Sequence, residues 1–215
     1  MRDRRPFDSR RWALLLGIAW GASIVWGLKV LWAYKTTPGV AGEAPSRWPH
    51  DSRIPHDRES ATLVMLAHPR CPCTQASMDE LALIMARLQG RLHAYVLFYQ
   101  PADKPDRWIE TSLWRSAIAI PGVSAWRDRG GIEAARFGAE TSGQVVLYDA
   151  RGGLLFKGGI TAMRGHAGDN DGSRVIVALL TQGRADATST PVLGCSIKGP
   201  TLPGAKKHAD LARRN

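Results

Sequence analysis

Residues 61–73 have the sequence ATLVMLAHPRCPC, an apolar run that ends in a turn with two cysteines. The run Ala61–Ala67 has no charged residue, which is typical of a strand that is covered on both faces. After the cysteines, apolar residues recur at helical spacing: Met78, Leu81, Met85 and Leu88. The stretch therefore predicts a buried strand, a turn that carries Cys71 and Cys73, and a helix.

The elements that follow predict an α/β protein. Ser77 and Glu80 have the spacing of a capping box near the start of the helix after Cys73. Further patterns predict strand 92–99, helix 108–120, strand 123–126, short helix 132–137, a hairpin of 144–148 with 154–156, and helix 174–180. This order predicts a mixed sheet flanked by helices, with parallel strands first and an antiparallel pair at the end.

The N-terminal part predicts a membrane anchor. Residues 12–34 contain Lys29 as their one charged residue and are long enough to cross a hydrocarbon core of about 30 Å. Five arginines precede this span and only Lys35 follows it closely, so the positive-inside rule places the N-terminus in the cytoplasm. We therefore expect a basic cytoplasmic segment 1–11, a transmembrane helix 12–34 and a domain outside the cytoplasm, as in a periplasmic protein anchored in the inner membrane.

A cleaved signal peptide is the alternative for this N-terminal segment. Signal peptides have shorter apolar regions of about 7–15 residues and end at a small-x-small site. The apolar stretch is longer than that, and only the region around residues 40–44 offers a cleavage site of this kind. The length favours an uncleaved anchor, and both alternatives place the domain in the same compartment.

The remaining boundaries follow from composition. Residues 35–60 contain four prolines and several charges, which predicts a linker. The domain is expected at 61–183, and residues 184–215 are expected to form an irregular basic tail. The net charge of +10 is concentrated at the two ends, since residues 1–11 hold five Arg and two Asp and residues 204–215 hold two Lys, two Arg and one Asp. A nucleic-acid groove would need that charge on the domain, so nucleic acid is not an expected partner.

The stretch from Ala61 to Leu180 resembles the thioredoxin superfamily, which has an apolar strand, a cysteine pair at the mouth of the next helix, and a terminal hairpin and helix. Residues 68–74, 140–149, 158–161 and 164–170 are similar to the RedB-type thioredoxin-like membrane proteins of bacteria. The resemblance implies a thioredoxin-like fold and a redox role for the cysteines. Two departures stand out: one residue separates the cysteines instead of two, and Thr141-Ser142-Gly143 occupies the place of the family's cis-proline.

Cys71 and Cys73 are the candidate catalytic residues. Free backbone N–H groups and the helix dipole at a helix N-terminus favour a thiolate, and a disulfide across one residue is strained and easily reduced. We expect Cys71 to attack a substrate disulfide and the other thiol to resolve the intermediate. The function predicted first is a thiol–disulfide oxidoreductase with a protein thiol or disulfide as its partner and no cofactor.

Four further residues are candidate auxiliaries. The order of the hairpin strands places His166 in a loop beside the cysteines, as a base or a ligand. Thr141 and Ser142 stand at the family's groove position, and Cys195 is an odd third cysteine that suggests a resolving thiol, a mixed-disulfide site or an intermolecular bridge. His166 and Cys195 each have an equally simple interpretation, as a loop histidine and an incidental thiol.

Two other functions remain open from the sequence. Cys71, Cys73 and His166 together would suit Cu(I), as in a thioredoxin-like copper-binding protein. A non-catalytic binding domain is the other alternative, because Ser142 replaces the proline of the family's substrate groove.

Overall fold

A computed structural model describes residues 9–197 of the chain. The chain divides into two compact units, with the boundary between Thr37 and Pro38. The first unit is the single helix α1 (Ser9–Thr36), whose 28 residues extend about 42 Å at ~1.5 Å per residue. By length and composition this helix can cross a membrane, and the predicted span 12–34 lies inside it. Its large apolar side chains are exposed along its length.

The second unit contains five strands and four helices among its described residues. The strands are β1 (Ala61–Ala67), β2 (Leu92–Gln100), β3 (Val123–Arg129), β4 (Gln144–Tyr148) and β5 (Leu154–Gly159). The helices are α2 (Cys73–Arg87), α3 (Ser112–Ala119), α4 (Ile132–Arg136) and α5 (Asp171–Gln182), with a 3₁₀ turn at Asp106–Trp108. Each predicted strand and helix has a counterpart here.

The strands form one sheet in the order β3-β2-β1-β4-β5. β1 pairs in parallel with β2 and antiparallel with β4, β2 pairs in parallel with β3, and β4 and β5 form the antiparallel hairpin. The predicted mixed sheet flanked by helices, with parallel strands first and an antiparallel pair at the end, is therefore confirmed. β1 is the central strand and all seven of its residues are buried. The turn that follows its carboxyl end therefore lies at the middle of one edge of the sheet.

Two hydrophobic cores cover the two faces of the sheet. One core packs β1 and β2 against α2, α3 and α5, with Met65, Leu81 and Ile176 fully buried. The other core lies on the opposite face and includes Leu66 and Phe137. Strand β1 contributes alternate residues to both, which explains its uninterrupted apolar sequence.

Residues 38–60, for which the composition predicts a linker, pack against the second core. Ile54 is buried, and the Trp48 ring lies 5.0 Å from the Phe137 ring and 5.3 Å from the Tyr148 ring. The Tyr148 hydroxyl donates to the carbonyl of Pro45 at 3.0 Å. The unit that contains the sheet thus begins at Pro38 in the structure, not at the predicted residue 61.

The described part of the predicted tail also lies on the domain. Lys157 N–H donates to the carbonyl of Thr188 at 3.0 Å, and Thr190 N–H donates to the carbonyl of Lys157 at 3.2 Å. Residues 188–190 therefore run beside β5, the last strand of the sheet. Val192 and Ile197 are buried. The remainder of the predicted tail, residues 198–215, lies outside the described residues.

Candidate active site

The cysteines lie where the turn after β1 meets α2. Helix α2 begins at Cys73, and the residue before it, Pro72, offers no side chain to cap the first turn. The N–H of Thr74 donates to the carbonyl of Cys71 at 3.0 Å, and backbone hydrogen bonds of Cys73 and Thr74 contribute to lowering the pKa of the Cys71 thiol. Donors at a helix N-terminus favour an anion, so the local fold places Cys71 where a thiolate is stabilised.

Three cysteine sulfurs meet at this point. The Sγ atoms of Cys71, Cys73 and Cys195 all lie within 4.8 Å of one another, and all three residues are free thiols. Cys71 is buried, whereas Cys73 and Cys195 are partly exposed. The predicted catalytic pair, Cys71 and Cys73, is therefore joined by a third cysteine, Cys195, in the structure.

The three thiols differ in acidity. Burial raises the pKa of Cys71, but hydrogen bonds from Cys195, the Thr74 hydroxyl and the backbone outweigh it and hold the pKa below its ordinary value. Burial and the charge of Cys71 raise the pKa of Cys73. Burial and the hydrogen bond to Cys71 raise the pKa of Cys195 to about 12. Cys71 is thus the thiol that ionises first and the strongest candidate nucleophile.

Cys195 is held at the site by backbone hydrogen bonds. Its carbonyl accepts from the N–H of Ser142 at 2.8 Å, and Ile197 N–H donates to the carbonyl of Glu140 at 3.1 Å. The neighbouring carbonyl of Gly194 accepts from the Arg164 guanidinium. A Cβ atom at Gly194 would lie 1.8 Å from the Ser142 carbonyl oxygen, so only glycine permits this close approach.

Thr141 and Ser142 lie next to the cysteine turn, as the resemblance implies, but act through different contacts. The Ser142 hydroxyl accepts from His68 N–H at 2.8 Å and shares a hydrogen bond of 2.7 Å with the Thr74 hydroxyl. The Thr141 hydroxyl donates to the carbonyl of Val40 at 2.7 Å. Residues 9–197 contain no cis peptide bond, so serine takes this position in the ordinary trans form.

His166 lies in the expected loop but outside the group of sulfurs. A Cβ atom at the preceding Gly165 would lie 4.0 Å from the Cys73 sulfur, so the loop after β5 does run beside the cysteines. The His166 side chain is exposed. Among the described residues, the His, Cys, Asp and Glu side chains that could share one metal ion are the three cysteines, without His166.

Glu80 anchors this loop to α2. Its buried carboxylate accepts from Gly168 N–H at 2.7 Å, the Asn170 amide at 2.9 Å and the Ser173 hydroxyl at 3.1 Å. The predicted capping box of Ser77 and Glu80 is wrong, because α2 begins four residues before Ser77 and both residues lie inside the helix. Asn170 is the residue that caps a helix here, since its side chain accepts from Ser173 N–H at the start of α5.

Aromatic rings border the turn before the cysteines. The His68 ring stacks on Tyr99 at 6.2 Å and meets the edge of Trp108 at 5.7 Å, and the Arg70 guanidinium lies 4.9 Å from the Trp108 ring centre. Burial and the nearby charge of Arg70 lower the pKa of His68, which favours the neutral imidazole. Thr74 lies near the site but was not among the predicted site residues. Its hydroxyl directly follows the second cysteine in the sequence, and this could have indicated a donor to the neighbouring thiol.

Comparisons with known proteins bear on the fold. A hypothetical protein from Sinorhizobium meliloti has a similar structure, with a TM-score of 0.54, 21% identity, and coverage of 78% of this chain and 98% of that chain. An uncharacterized conserved protein from Geobacillus kaustophilus has a TM-score of 0.53 at 16% identity, covering 78% and 96% of the two chains. These likenesses cover more than three quarters of this chain and nearly all of both neighbours, and they concern the fold.

A secreted disulfide oxidoreductase from Mycobacterium tuberculosis is a more distant structural neighbour, with a TM-score of 0.43, 16% identity, and coverage of 58% of this chain and 84% of that chain. No protein-family model matches the chain. No curated protein matches it either. The closer similarity to RedB-type proteins therefore stays a prediction.

Proposed function

We propose that this thioredoxin-like protein is a membrane-anchored thiol–disulfide oxidoreductase that works outside the cytoplasm and uses Cys71 as its nucleophile. The observation that supports this most is the environment of Cys71. Its sulfur lies at the N-terminus of α2, accepts hydrogen bonds from Thr74 and Cys195, and has a lowered pKa. A thiol of lowered pKa with two further thiols within 4.8 Å is the arrangement that thiol–disulfide exchange uses.

The reaction has two exchange steps. The Cys71 thiolate attacks one sulfur of a substrate disulfide, forms a mixed disulfide and releases the other substrate sulfur as a thiolate. A neighbouring thiol of the protein then loses its proton and attacks Cys71 Sγ, which forms an internal disulfide and releases the second substrate thiolate. The substrate gains two electrons and the protein loses two, and the reverse sequence oxidises a substrate dithiol.

The test is a redox titration of the full-length protein in detergent. Equilibration with glutathione buffers, followed by trapping of free thiols and mass spectrometry, is expected to show one reversible two-electron transition. Cys71→Ser should abolish that transition and the glutathione adduct that precedes it. A Cys71 thiol that neither forms an adduct with oxidised glutathione nor reacts faster than an ordinary cysteine would show that the protein is not an oxidoreductase.

The anchor and the orientation are part of the proposal. α1 is long and apolar enough to cross a membrane, and five arginines precede its apolar part, residues 12–34. Reporter fusions after residue 60 are expected to be active only with an exported enzyme type. Activity of a cytoplasmic reporter at this position would reverse the orientation, and a mature N-terminus near residues 42–46 would replace the anchor by a signal peptide.

Binding of Cu(I) is a second candidate function, which the meeting of three sulfurs favours. Thiolates are the ligands that select Cu(I), and Cys71, Cys73 and Cys195 place three of them within 4.8 Å. This set replaces the combination with His166 considered from the sequence. Competition with a colorimetric Cu(I) chelator should show tight binding that Cys195→Ser weakens and His166→Ala leaves unchanged. Binding no stronger than that of the triple serine variant would remove this candidate.

A further inference from the structure

We propose that Cys195 is the resolving residue of this site, so that the oxidised protein carries a Cys71–Cys195 disulfide between the turn after β1 and the C-terminal segment. The proposal rests on the proposed oxidoreductase function. It differs from the sequence prediction, in which Cys73 is the second redox residue. Three independent features of the structure carry it.

The first feature is that the C-terminal segment 188–197 is built onto the domain. It is bonded to β5 through Lys157, and it is bonded to the loop before β4 through Ser142 N–H and the Glu140 carbonyl. An antiparallel bridge between Thr141 and Ser196 lies next to Cys195. These contacts hold Cys195 in one position, as is expected of a thiol that reacts with Cys71. A thiol on a free tail would lack them.

The second feature is the proximity of the sulfurs. The Sγ atoms of Cys71, Cys73 and Cys195 all lie within 4.8 Å of one another. A disulfide between Cys71 and Cys195 needs an S–S distance of about 2.05 Å, so the two side chains have only a short distance to close.

The third feature is the restricted position of Cys73. It is the first residue of α2, so its backbone is fixed by the helix, and only Pro72, with its own φ fixed by the ring, separates it from Cys71. A disulfide between these two residues would close a strained ring across a single residue. Cys195 approaches from a separate segment and has no such restriction.

The reaction then proceeds in a defined order. Cys71 attacks the substrate disulfide, and the first substrate thiolate leaves. Cys195 gives up its proton to solvent and attacks Cys71 Sγ, so that the bond to the substrate breaks, the second substrate thiolate leaves and the Cys71–Cys195 bond forms.

The bond can be located directly in the full-length protein in detergent. The protein is oxidised with oxidised glutathione, remaining thiols are alkylated, and trypsin gives the peptide 71–87, with Cys71 and Cys73, and the peptide 185–198, with Cys195. We expect the two peptides to be joined by a disulfide, with Cys73 alkylated. Cys73→Ser should keep this link, and Cys71→Ser should abolish it.

Two variants test the role of Cys195 in resolution. Cys195→Ser keeps a hydroxyl as a donor to Cys71 but has no sulfur, so the glutathione adduct on Cys71 should persist at least about tenfold longer than in the wild type. Gly194→Ala keeps all three thiols but brings a Cβ atom against the Ser142 carbonyl, so it should displace Cys195 and slow resolution as well. Ser196→Ala is the matched control, because this neighbouring side chain is exposed, and it should behave as the wild type.

Each alternative result has a definite meaning. A disulfide within peptide 71–87, with Cys195 alkylated, would overturn this proposal and leave the proposed function intact. A disulfide between the Cys195 residues of two chains would also overturn it. Absence of any adduct or disulfide at Cys71 would contradict the proposed function, and with it this proposal.

Discussion

At the scale of single residues, hydrogen bonds to the Cys71 thiol have a larger combined effect on its pKa than its burial has. Burial by itself would raise the pKa of this thiol, and the hydrogen bonds from Cys195, Thr74 and the backbone reverse the direction. The thiolate fraction at neutral pH should therefore respond to the removal of a single donor. Cys195 is the side-chain donor with the largest effect.

We predict that Cys195→Ala raises the pKa of Cys71. The alkylation rate of Cys71 should fall by about threefold to tenfold at pH 7, because a hydrogen bond to a charged group contributes about 1.5–3 kcal/mol and solvent replaces part of it. The measurement is the alkylation rate of reduced protein between pH 4 and 9, with the adduct assigned by mass spectrometry. The inflection should move to higher pH in the alanine variant.

Cys195→Ser is the control for this prediction, because its hydroxyl still donates to the Cys71 sulfur. Its pH profile should remain close to that of the wild type. If the alanine and serine variants have the same profile, the hydrogen bond is not the source of the lowered pKa, and the backbone donors of Cys73 and Thr74 account for it alone.

The sequence predicted the place of Cys71 and Cys73 in the fold better than it predicted which residues they meet. Both lie between a strand and a helix as expected, because that signal is local in the sequence. Cys195 lies more than a hundred residues further along the chain, and no local pattern indicates which loop such a segment contacts. The need for glycine at position 194 is likewise evident only from the position of the Ser142 carbonyl oxygen in the fold.

At the scale of elements, one carboxylate connects α2, the loop after β5 and α5. Glu80 accepts three hydrogen bonds, from Gly168, Asn170 and Ser173. Its spacing from Ser77 suggested a local capping role, since a sequence pattern shows only partners that are near in the chain. The structure uses it over a separation of about ninety residues, and it thereby fixes the loop that lies beside Cys73.

Glu80→Ala should destabilise the domain by about 2–4 kcal/mol, because it leaves buried donors without an acceptor at about 1–3 kcal/mol each. The free energy of unfolding in urea is the measurement for this loss, and amide exchange should become faster in residues 161–170. Glu80→Gln retains one acceptor oxygen and should cost less than the alanine variant. Equal losses in the two variants would indicate that packing of the side chain, not its hydrogen bonds, is responsible.

At the scale of the whole molecule, the boundary of the folded unit lies earlier than composition suggests. The prolines of residues 38–60 are typical of a linker, and nothing in their local sequence shows that Trp48 and Ile54 fill the second core. Those two side chains bury apolar surface against α4 and the sheet, at about 1.5–3 kcal/mol for each large side chain.

A chain that begins at Pro38 should therefore fold as the full domain does, whereas a chain that begins at Ala61 should melt about 10 °C lower, since 1 kcal/mol corresponds to about 2–4 °C in a domain of this size. Thermal unfolding followed by circular dichroism would measure the difference. Trp48→Ala should reproduce part of the loss, and Arg58→Ala, at an exposed position, should not. Identical melting of the two shortened chains would return residues 38–60 to the role of a linker.

The pairing of residues 188–190 with Lys157 also affects how one molecule meets another. β5 is the last strand of the sheet, and the unpaired N–H and C=O groups of an edge strand are a template for the strand of a second chain. The C-terminal segment occupies those groups, so it protects the sheet from edge-to-edge aggregation. A chain that ends at Gly183 should associate increasingly with concentration in sedimentation experiments. Reversible release of residues 188–197 would therefore lower the solubility of the protein.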